Sequence, residues 1–408
     1  MRQDVKLKKM MKNILILVLF QSFSKASFSQ SSIGIIPIYT TNLKLNDLAE
    51  PGVFNYGYGI RILDNTLFIF GIRTNKIIKY DLQTKSKVEI ELKVENKKHS
   101  IEAYNLFITK DEILCFNREK SIVTFHKWDG SYIKQLKFKL YNTGLELGYL
   151  NTNFEYDTSS RSFYLPIEKK HSYPNHPKIR KTKKYYTREG LVGKFNSEGK
   201  LIDKIGSYDK IYWDSEYNFA NKYWFNLDLN SNLIISQQLS PNICIYVNRE
   251  HSKYLNLVGS NITKTIDEIP QSKKVPNASE YYSALIQSYS YYNTDQISEN
   301  LYCRKYVDAA LDTTKSNITL INPNENKSKV CNKPSEKQIN QVKILSEKKE
   351  YLIISDSSGN ILYDGESLYD GVVASQNLNL KSKLFWSTKL NPSEIFLYLN
   401  EIKLSVNN

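Results

Sequence analysis

Cysteine is scarce and scattered in this chain. Its 408 residues hold four, Cys115, Cys244, Cys303 and Cys331, and no two are close enough to form a C-x-x-C pair. That spacing argues against structural zinc and against thioredoxin-like redox chemistry. Cys115 lies in Glu112-Ile113-Leu114-Cys115-Phe116 and Cys244 in Ile243-Cys244-Ile245-Tyr246. Such apolar neighbours predict buried free thiols, with a Cys303–Cys331 disulfide as the alternative in an oxidising compartment. Histidine is thin as well, at five residues. No Gly-x-Ser-x-Gly elbow, His-Glu-x-x-His helix, Walker loop or Gly-x-Gly-x-x-Gly fingerprint occurs, so no catalytic residue, metal or cofactor is assigned. No segment approaches the roughly 20 apolar residues that a membrane-spanning helix needs. Helical periodicity is almost missing; only residues 335–345 hint at it, through Ile339, Val342 and Leu345.

What is present begins with an export signature. Lys6, Lys8, Lys9 and Lys12 precede the apolar run from Ile14 to Phe20, and Ser27-Phe28-Ser29 places small residues before Gln30. This pattern predicts a cleaved signal peptide over residues 1–29 and a single domain over residues 30–408. No cysteine precedes Cys115, so a lipid-anchored cysteine at the processed N-terminus is not expected. The predicted product is a monomer, periplasmic or secreted. The net charge is +14, and removing the basic signal leaves about +9. A moderate positive charge attracts acidic surfaces without choosing among them, and nucleic acid is an unsuitable partner outside the cytoplasm.

From Ile33 onward the chain reads as strands. Leu67-Phe68-Ile69-Phe70 and Ile77-Ile78-Lys79-Tyr80 are pairs rich in β-branched and aromatic residues. A degenerate unit recurs, in which a strand ends on an aromatic or aliphatic residue near Asp or Asn and turn residues follow. It is seen at Lys79-Tyr80-Asp81, Lys127-Trp128-Asp129-Gly130 and Lys194-Phe195-Asn196-Ser197-Glu198-Gly199. Weaker copies are Tyr246-Val247-Asn248, Ile321-Asn322-Pro323 and Tyr363-Asp364-Gly365. Hairpin units spaced by roughly 40–50 residues predict a β-propeller. Six anchors predict six blades, with seven as the alternative, and terminal strands that meet in one blade. A two-sheet sandwich is the rival architecture, less suited to so long a chain.

The long gaps between anchors predict insertions. One, residues 168–190, is rich in Lys and Arg and broken by Pro174 and Pro177. The other, residues 260–300, holds Tyr281, Tyr282, Tyr289, Tyr291 and Tyr292.

With these residues in view the chain resembles the six-bladed propeller family of Bacteroidetes envelope proteins known as DUF4221, a domain of unknown function. The resemblance is carried by the signal ending Ser27-Phe28-Ser29-Gln30, by the blade hairpins, and by Tyr289-Ser290-Tyr291-Tyr292-Asn293 leading into Leu301-Tyr302-Cys303-Arg304. Cys303 replaces one of the family's tyrosines. Many relatives start with a lipid-modified cysteine, and this chain does not. The resemblance implies a fold and a compartment, and no reaction.

Several groups are candidates for binding. Arg304, flanked by Tyr302 and Tyr306, has a fork that suits a carboxylate from a ligand or from a neighbouring blade. Tyr292 and its neighbours can stack on sugars or simply pack between blades. His171, His176, Arg180 and Arg188 belong to the basic insertion, which can meet acidic polysaccharide or lipid phosphate, or serve only as a solvated face. His171 and His176 alone are too few for zinc. Asp364 and Asp370, each before glycine, suit calcium or hairpin turns.

A propeller is a scaffold that hosts unrelated activities. The reading that these residues favour is a non-catalytic binding module of the cell envelope, with a protein, peptide or acidic glycan as partner. The alternatives are a glycan-directed hydrolase or lyase with its site in the central channel, and a structural part of an envelope assembly.

Overall fold

The computed structural model describes residues 34–44, 60–63, 66–71, 75–94, 105–140, 143–148, 154–169, 186–187, 189–213, 222–247, 252–265, 288–308, 349–366, 384–391 and 394–405. The chain divides into two compact units, Met1–Ile36 with Lys403–Asn408, and Pro37–Ile402. The first contributes only strand ends to the described residues. One of them belongs to β1 (Gly34–Lys44).

The larger unit contains five antiparallel sheets that follow one another along the chain. The first is β2 (Ile60–Leu63), β3 (Thr66–Gly71), β4 (Lys76–Asp81) and β5 (Lys87–Glu91). The second is β6 (Asn105–Ile108), β7 (Ile113–Asn117), β8 (Ile122–His126) and β9 (Tyr132–Lys137). In the third, β10 (Leu145–Leu147) and β11 (Glu155–Asp157) both pair with β12 (Ser162–Lys169), so the first strand is split in two. The sheet continues through β13 (Glu189–Phe195) and β14 (Leu201–Ser207). The fourth is β15 (Tyr223–Leu227), β16 (Leu233–Gln237), β17 (Asn242–Tyr246) and β18 (Ser252–Asn256). The fifth is β19 (Ser290–Ser298), β20 (Leu301–Val307), β21 (Glu350–Asp356) and β22 (Ile361–Glu366). A three-stranded sheet is formed by β1, β24 (Glu394–Ser405) and β23 (Leu384–Asn391), in that order. The N- and C-terminal strands thus share a sheet. Among the described residues no helix is long and apolar enough to cross a membrane.

Burial shows how the sheets stack. Every residue of β7, β16 and β20 is buried, as expected of strands covered on both faces. The fourth strands β5 and β18 expose all but one residue each, so they form the outer rim. The seams between sheets differ in chemistry. Between the second and third, phenylalanines interlock: Phe116 stacks on Phe154 at 5.1 Å, and Phe138 meets Phe163 at 5.4 Å and Phe195 at 5.2 Å. From the third to the fifth, tyrosines take over. Tyr212, Tyr223, Tyr289, Tyr291 and Tyr306 are all buried in one cluster. Their rings fill the core while their hydroxyls reach main-chain groups: Tyr223 donates to the Leu191 carbonyl, and Tyr212 accepts from the Leu239 N–H. The tyrosines of residues 289–306 are therefore packing residues first.

This is a β-propeller, with five blades among the described residues where the sequence predicts six. The reason is local. The Tyr80-Asp81, Trp128-Asp129 and Phe195-Asn196 anchors do mark turns between third and fourth strands, and Tyr246 ends the third strand of the fourth blade. The fifth blade uses Asp356 instead, whose carboxylate accepts the Ser358 and Asn360 N–H groups. Tyr363 lies on β22 of that same blade and anchors no blade of its own, and Ile321 falls outside the described residues. Asp364-Gly365 is likewise mid-strand rather than a turn. The possible helix at residues 335–345 is also outside the described residues.

Candidate functional site

In an antiparallel blade the first-to-second and third-to-fourth turns fall on one face, and the second-to-third turns on the other. On the first of these faces, a cleft of about 650 Å³ opens between the second and third blades. Its walls are two short turns. The turn at 109–112 is shaped by Thr109, whose hydroxyl accepts the Asp111 and Glu112 N–H groups at 3.2 and 2.8 Å. Trp128 fixes it from the side by donating its indole N–H to the Lys110 carbonyl at 2.8 Å. The opposite turn, 157–161, is organised by Asp157. That carboxylate accepts the Ser159 N–H and the hydroxyls of Ser159 and Ser160, and Ser231 of the fourth blade adds a third hydroxyl at 3.0 Å. Burial opposes the charge on Asp157, yet these bonds outweigh it and hold its carboxyl below the usual range. Arg161 closes the turn in the left-handed conformation, at φ +51°.

The cleft combines an aromatic floor with charges of both signs. Phe125, Tyr156 and Phe163 line it, with Tyr156 stacked on Phe163 at 4.6 Å. Lys110, Lys134 and Arg161 supply positive charge, and Asp111 and Glu112 negative charge. Lys134 lies over the Phe125 ring at 4.7 Å. Burial, assisted by the charge of Glu112, raises the Tyr156 phenol above its ordinary value. None of these residues stands out in sequence. The only local signals are Thr109-Lys110-Asp111-Glu112 and Asp157-Thr158-Ser159-Ser160-Arg161, polar turns that look like any other.

The residues singled out from sequence are placed elsewhere. Arg304 is completely buried on β20. Its guanidinium donates to four main-chain carbonyls: Tyr292 at 3.4 Å, Pro241 at 3.0 Å, Gln237 at 3.1 Å and Ser240 at 2.9 Å. It also covers the Tyr291 ring at 4.2 Å. The partners of its fork are carbonyls of its own and the preceding blade. Burial lowers its pKa to about 10, which leaves it charged at neutral pH. Tyr302 is buried in the tyrosine core. Tyr292 is half-buried against Trp224 at 5.6 Å, and burial, with the charge of Glu350, pushes its phenol up to about 12. His171, His176, Arg180 and Arg188 lie outside the described residues, as do Tyr281, Tyr282 and Asp370. The basic insertion leaves from β12 and returns at β13, a second-to-third connection. Its ends are therefore on the face opposite the cleft. Asp364 is engaged by Tyr306 at 2.6 Å and by the Ser260 N–H at 2.5 Å. Cys115, Cys244 and Cys303 are buried free thiols, and Cys331 is outside the described residues. Among the described residues no three His, Cys, Asp or Glu side chains form a metal-binding group.

Sheet order and seam packing define a β-propeller protein, and solved propellers share its arrangement. A member of the DUF4221 family from Bacteroides vulgatus superposes with a TM-score of 0.60 over 92% of this chain and 100% of its own, at 11% identity. A Bacteroides fragilis protein described as exported gives a TM-score of 0.50 over 91% of this chain and 96% of its own, also at 11% identity. At such identity the likeness is one of fold. No protein-family model and no curated protein matches the sequence.

Proposed function

We propose that this chain is an exported, monomeric, non-catalytic propeller of the bacterial cell envelope that binds a peptide, protein or acidic glycan in the cleft between its second and third blades. The observation that carries the reading is the cleft itself. It is large enough for a short ligand segment, it has an aromatic floor, and charged side chains of both signs stand around it. Opposite charges around an aromatic floor suit a polar partner carrying groups to match them. Export rests on the basic and apolar N-terminal pattern before Gln30. The basic segment carries further positive charge in its sequence, and its two ends, at Lys169 and Glu189, lie on the other face.

The test is an array of peptides and acidic glycans probed at low and moderate salt with the chain beginning at Gln30. Two variants run beside it, Arg161→Glu and a chain shortened across residues 168–190. Salt-sensitive binding abolished by Arg161→Glu and kept by the shortened chain supports the cleft. Loss only on shortening moves the site to the basic insertion. Turnover of any glycan on the array replaces binding with the hydrolase or lyase reading.

A further inference from the structure

Seven buried side-chain polar atoms among the described residues have no hydrogen-bond partner in the protein, and six of them come from two adjacent blades. They are Asn226 Oδ1, Ser236 Oγ and Gln238 Oε1 of the fourth blade, and Asn293 Oδ1, Thr294 Oγ1 and Ser355 Oγ of the fifth. Leaving such an atom unsatisfied costs roughly 1–3 kcal/mol, so a concentration of them in one seam calls for an occupant.

The chemistry of the orphans is one-sided. The amide nitrogens are already engaged: Asn226 and Asn293 both donate to Asp295 Oδ1, at 2.5 and 3.2 Å, and Gln238 donates to Ser290 Oγ at 3.1 Å. What is left over is oxygen lone pairs. The register of β19 against β20 shifts between Tyr291 and Thr294, and beside that irregularity Asn293 and Asn226 meet the same carboxylate, Asp295. Asn226 is more than nine-tenths buried, and its amide is aimed at the Asp295 carboxylate. Oxygen and nitrogen of an asparagine amide exchange places by a half-turn about the last side-chain bond. Both amides can therefore turn their oxygens toward Asp295 if a positive ion stands among them.

We infer that Asp295, Asn226 and Asn293 form a binding site for a hard cation of the calcium class at the inner edge of the seam between the fourth and fifth blades. A carboxylate and two amide oxygens are the ligand types such an ion takes, with backbone carbonyls or water completing the shell. A single carboxylate gives a weak site, in the range of extracellular calcium modules. Bound there, the ion ties two blades together in the seam that is richest in orphaned acceptors. This inference is independent of the cleft.

Terbium provides the readout, because Trp224 lies two residues from Asn226 on the same strand and can sensitise its emission. The chain from Gln30 is titrated with Tb3+, then with Ca2+ as competitor, and its unfolding temperature is compared in calcium and choline chloride at equal ionic strength. Sensitised emission displaced by Ca2+ is expected, along with a higher unfolding temperature in calcium. Asn293→Ala should weaken the apparent affinity about tenfold or more. Asp295→Asn should abolish binding, and should its folding fail, the half-buried Asn293 position carries the test alone. Absence of sensitised emission and of any calcium effect on unfolding overturns the site, leaving water as the occupant. Terbium binding that neither variant alters also overturns it, by placing the ion elsewhere.

Discussion

Gly199, at the turn between β13 and β14, lies directly against the carbonyl of Lys137 on the outer strand of the preceding blade. A Cβ there would stand 2.4 Å from the Lys137 oxygen. Gly130 meets the Glu91 carbonyl of the blade before it in the same way, at 2.1 Å. Each glycine also accepts a hydrogen bond across the gap, Gly199 from the Lys139 N–H and Gly130 from the Lys93 N–H. Both sit at positive φ, +72° and +81°. These turns are thus inter-blade joints, not only hairpin ends. Gly199→Ala should cost the left-handed backbone penalty of roughly 1–2 kcal/mol plus the cost of forcing the blades apart. Gly144→Ala is the control, because Gly144 has φ +69° and nothing within 4 Å of its added Cβ. Urea denaturation should rank Gly199→Ala clearly below Gly144→Ala. Equal losses would mean that the joint carries no load.

The same turns explain how far the sequence is legible. Aromatic residues followed by Asp, Asn or Gly recur because the turn needs a side-chain acceptor for its N–H groups and a residue tolerant of positive φ. Tyr80-Asp81, Trp128-Asp129-Gly130 and Phe195-Asn196 carry both signals, so three blades are locatable from the residues alone. Asp356-Ser357-Ser358-Gly359 carries the turn signal without the aromatic residue, whereas Tyr363-Asp364-Gly365 carries the aromatic signal without a turn. Counting the second kind as an anchor adds a blade that the described residues do not form. The cleft is illegible for a different reason. Lys110 and Arg161 are 51 residues apart, and only the stacking of two blades brings their turns to one cleft. Arg304 is legible as a special residue, but its role is not, because its partners are carbonyls that every residue possesses.

Arg304 holds the turn at 237–241 through three carbonyls of the fourth blade and one of its own. Arg304→Met should remove all four bonds and strand the acceptors in a dry seam, a loss of roughly 3 kcal/mol or more by equilibrium unfolding. Arg304→Lys should rescue little, because an ammonium cannot reproduce the planar fork that reaches Gln237 and Ser240 with one nitrogen and Pro241 with another. A lysine variant as stable as the parent would show that charge, and not the fork, is what the seam requires.

His126 is fully buried beside Tyr132, and its Nε2 lies 3.0 Å from the Thr124 hydroxyl. Burial lowers its pKa to about 4. In the unfolded chain the imidazole returns to about 6.5 and takes up a proton that the folded state refuses. Its contribution to stability is therefore complete above pH 6.5 and is lost as pH falls toward 4, by about 3 kcal/mol at most. Most of this window lies above the titration of ordinary carboxylates. Urea midpoints measured from pH 7 to pH 4 should fall steadily, and His126→Gln should flatten the slope. A parent protein with no slope in that range would contradict a buried neutral imidazole.

Trp128 links the turn chemistry to the cleft. Its indole N–H is bonded to the Lys110 carbonyl, its ring packs against Phe68 at 5.3 Å, and Lys79 of the first blade lies 5.5 Å over it. One side chain thus fastens the cleft wall of the second blade to the first. Trp128→Phe keeps a ring at this position and deletes the donor, so the stability cost should be small, about 1 kcal/mol. The larger effect should be local. Hydrogen exchange at the amides of Asp111 and Glu112 should quicken in Trp128→Phe while the buried amides of β7 keep their protection. Should Asp111 and Glu112 exchange at the parent rate, Thr109 alone shapes the wall, and the cleft owes nothing to its neighbour.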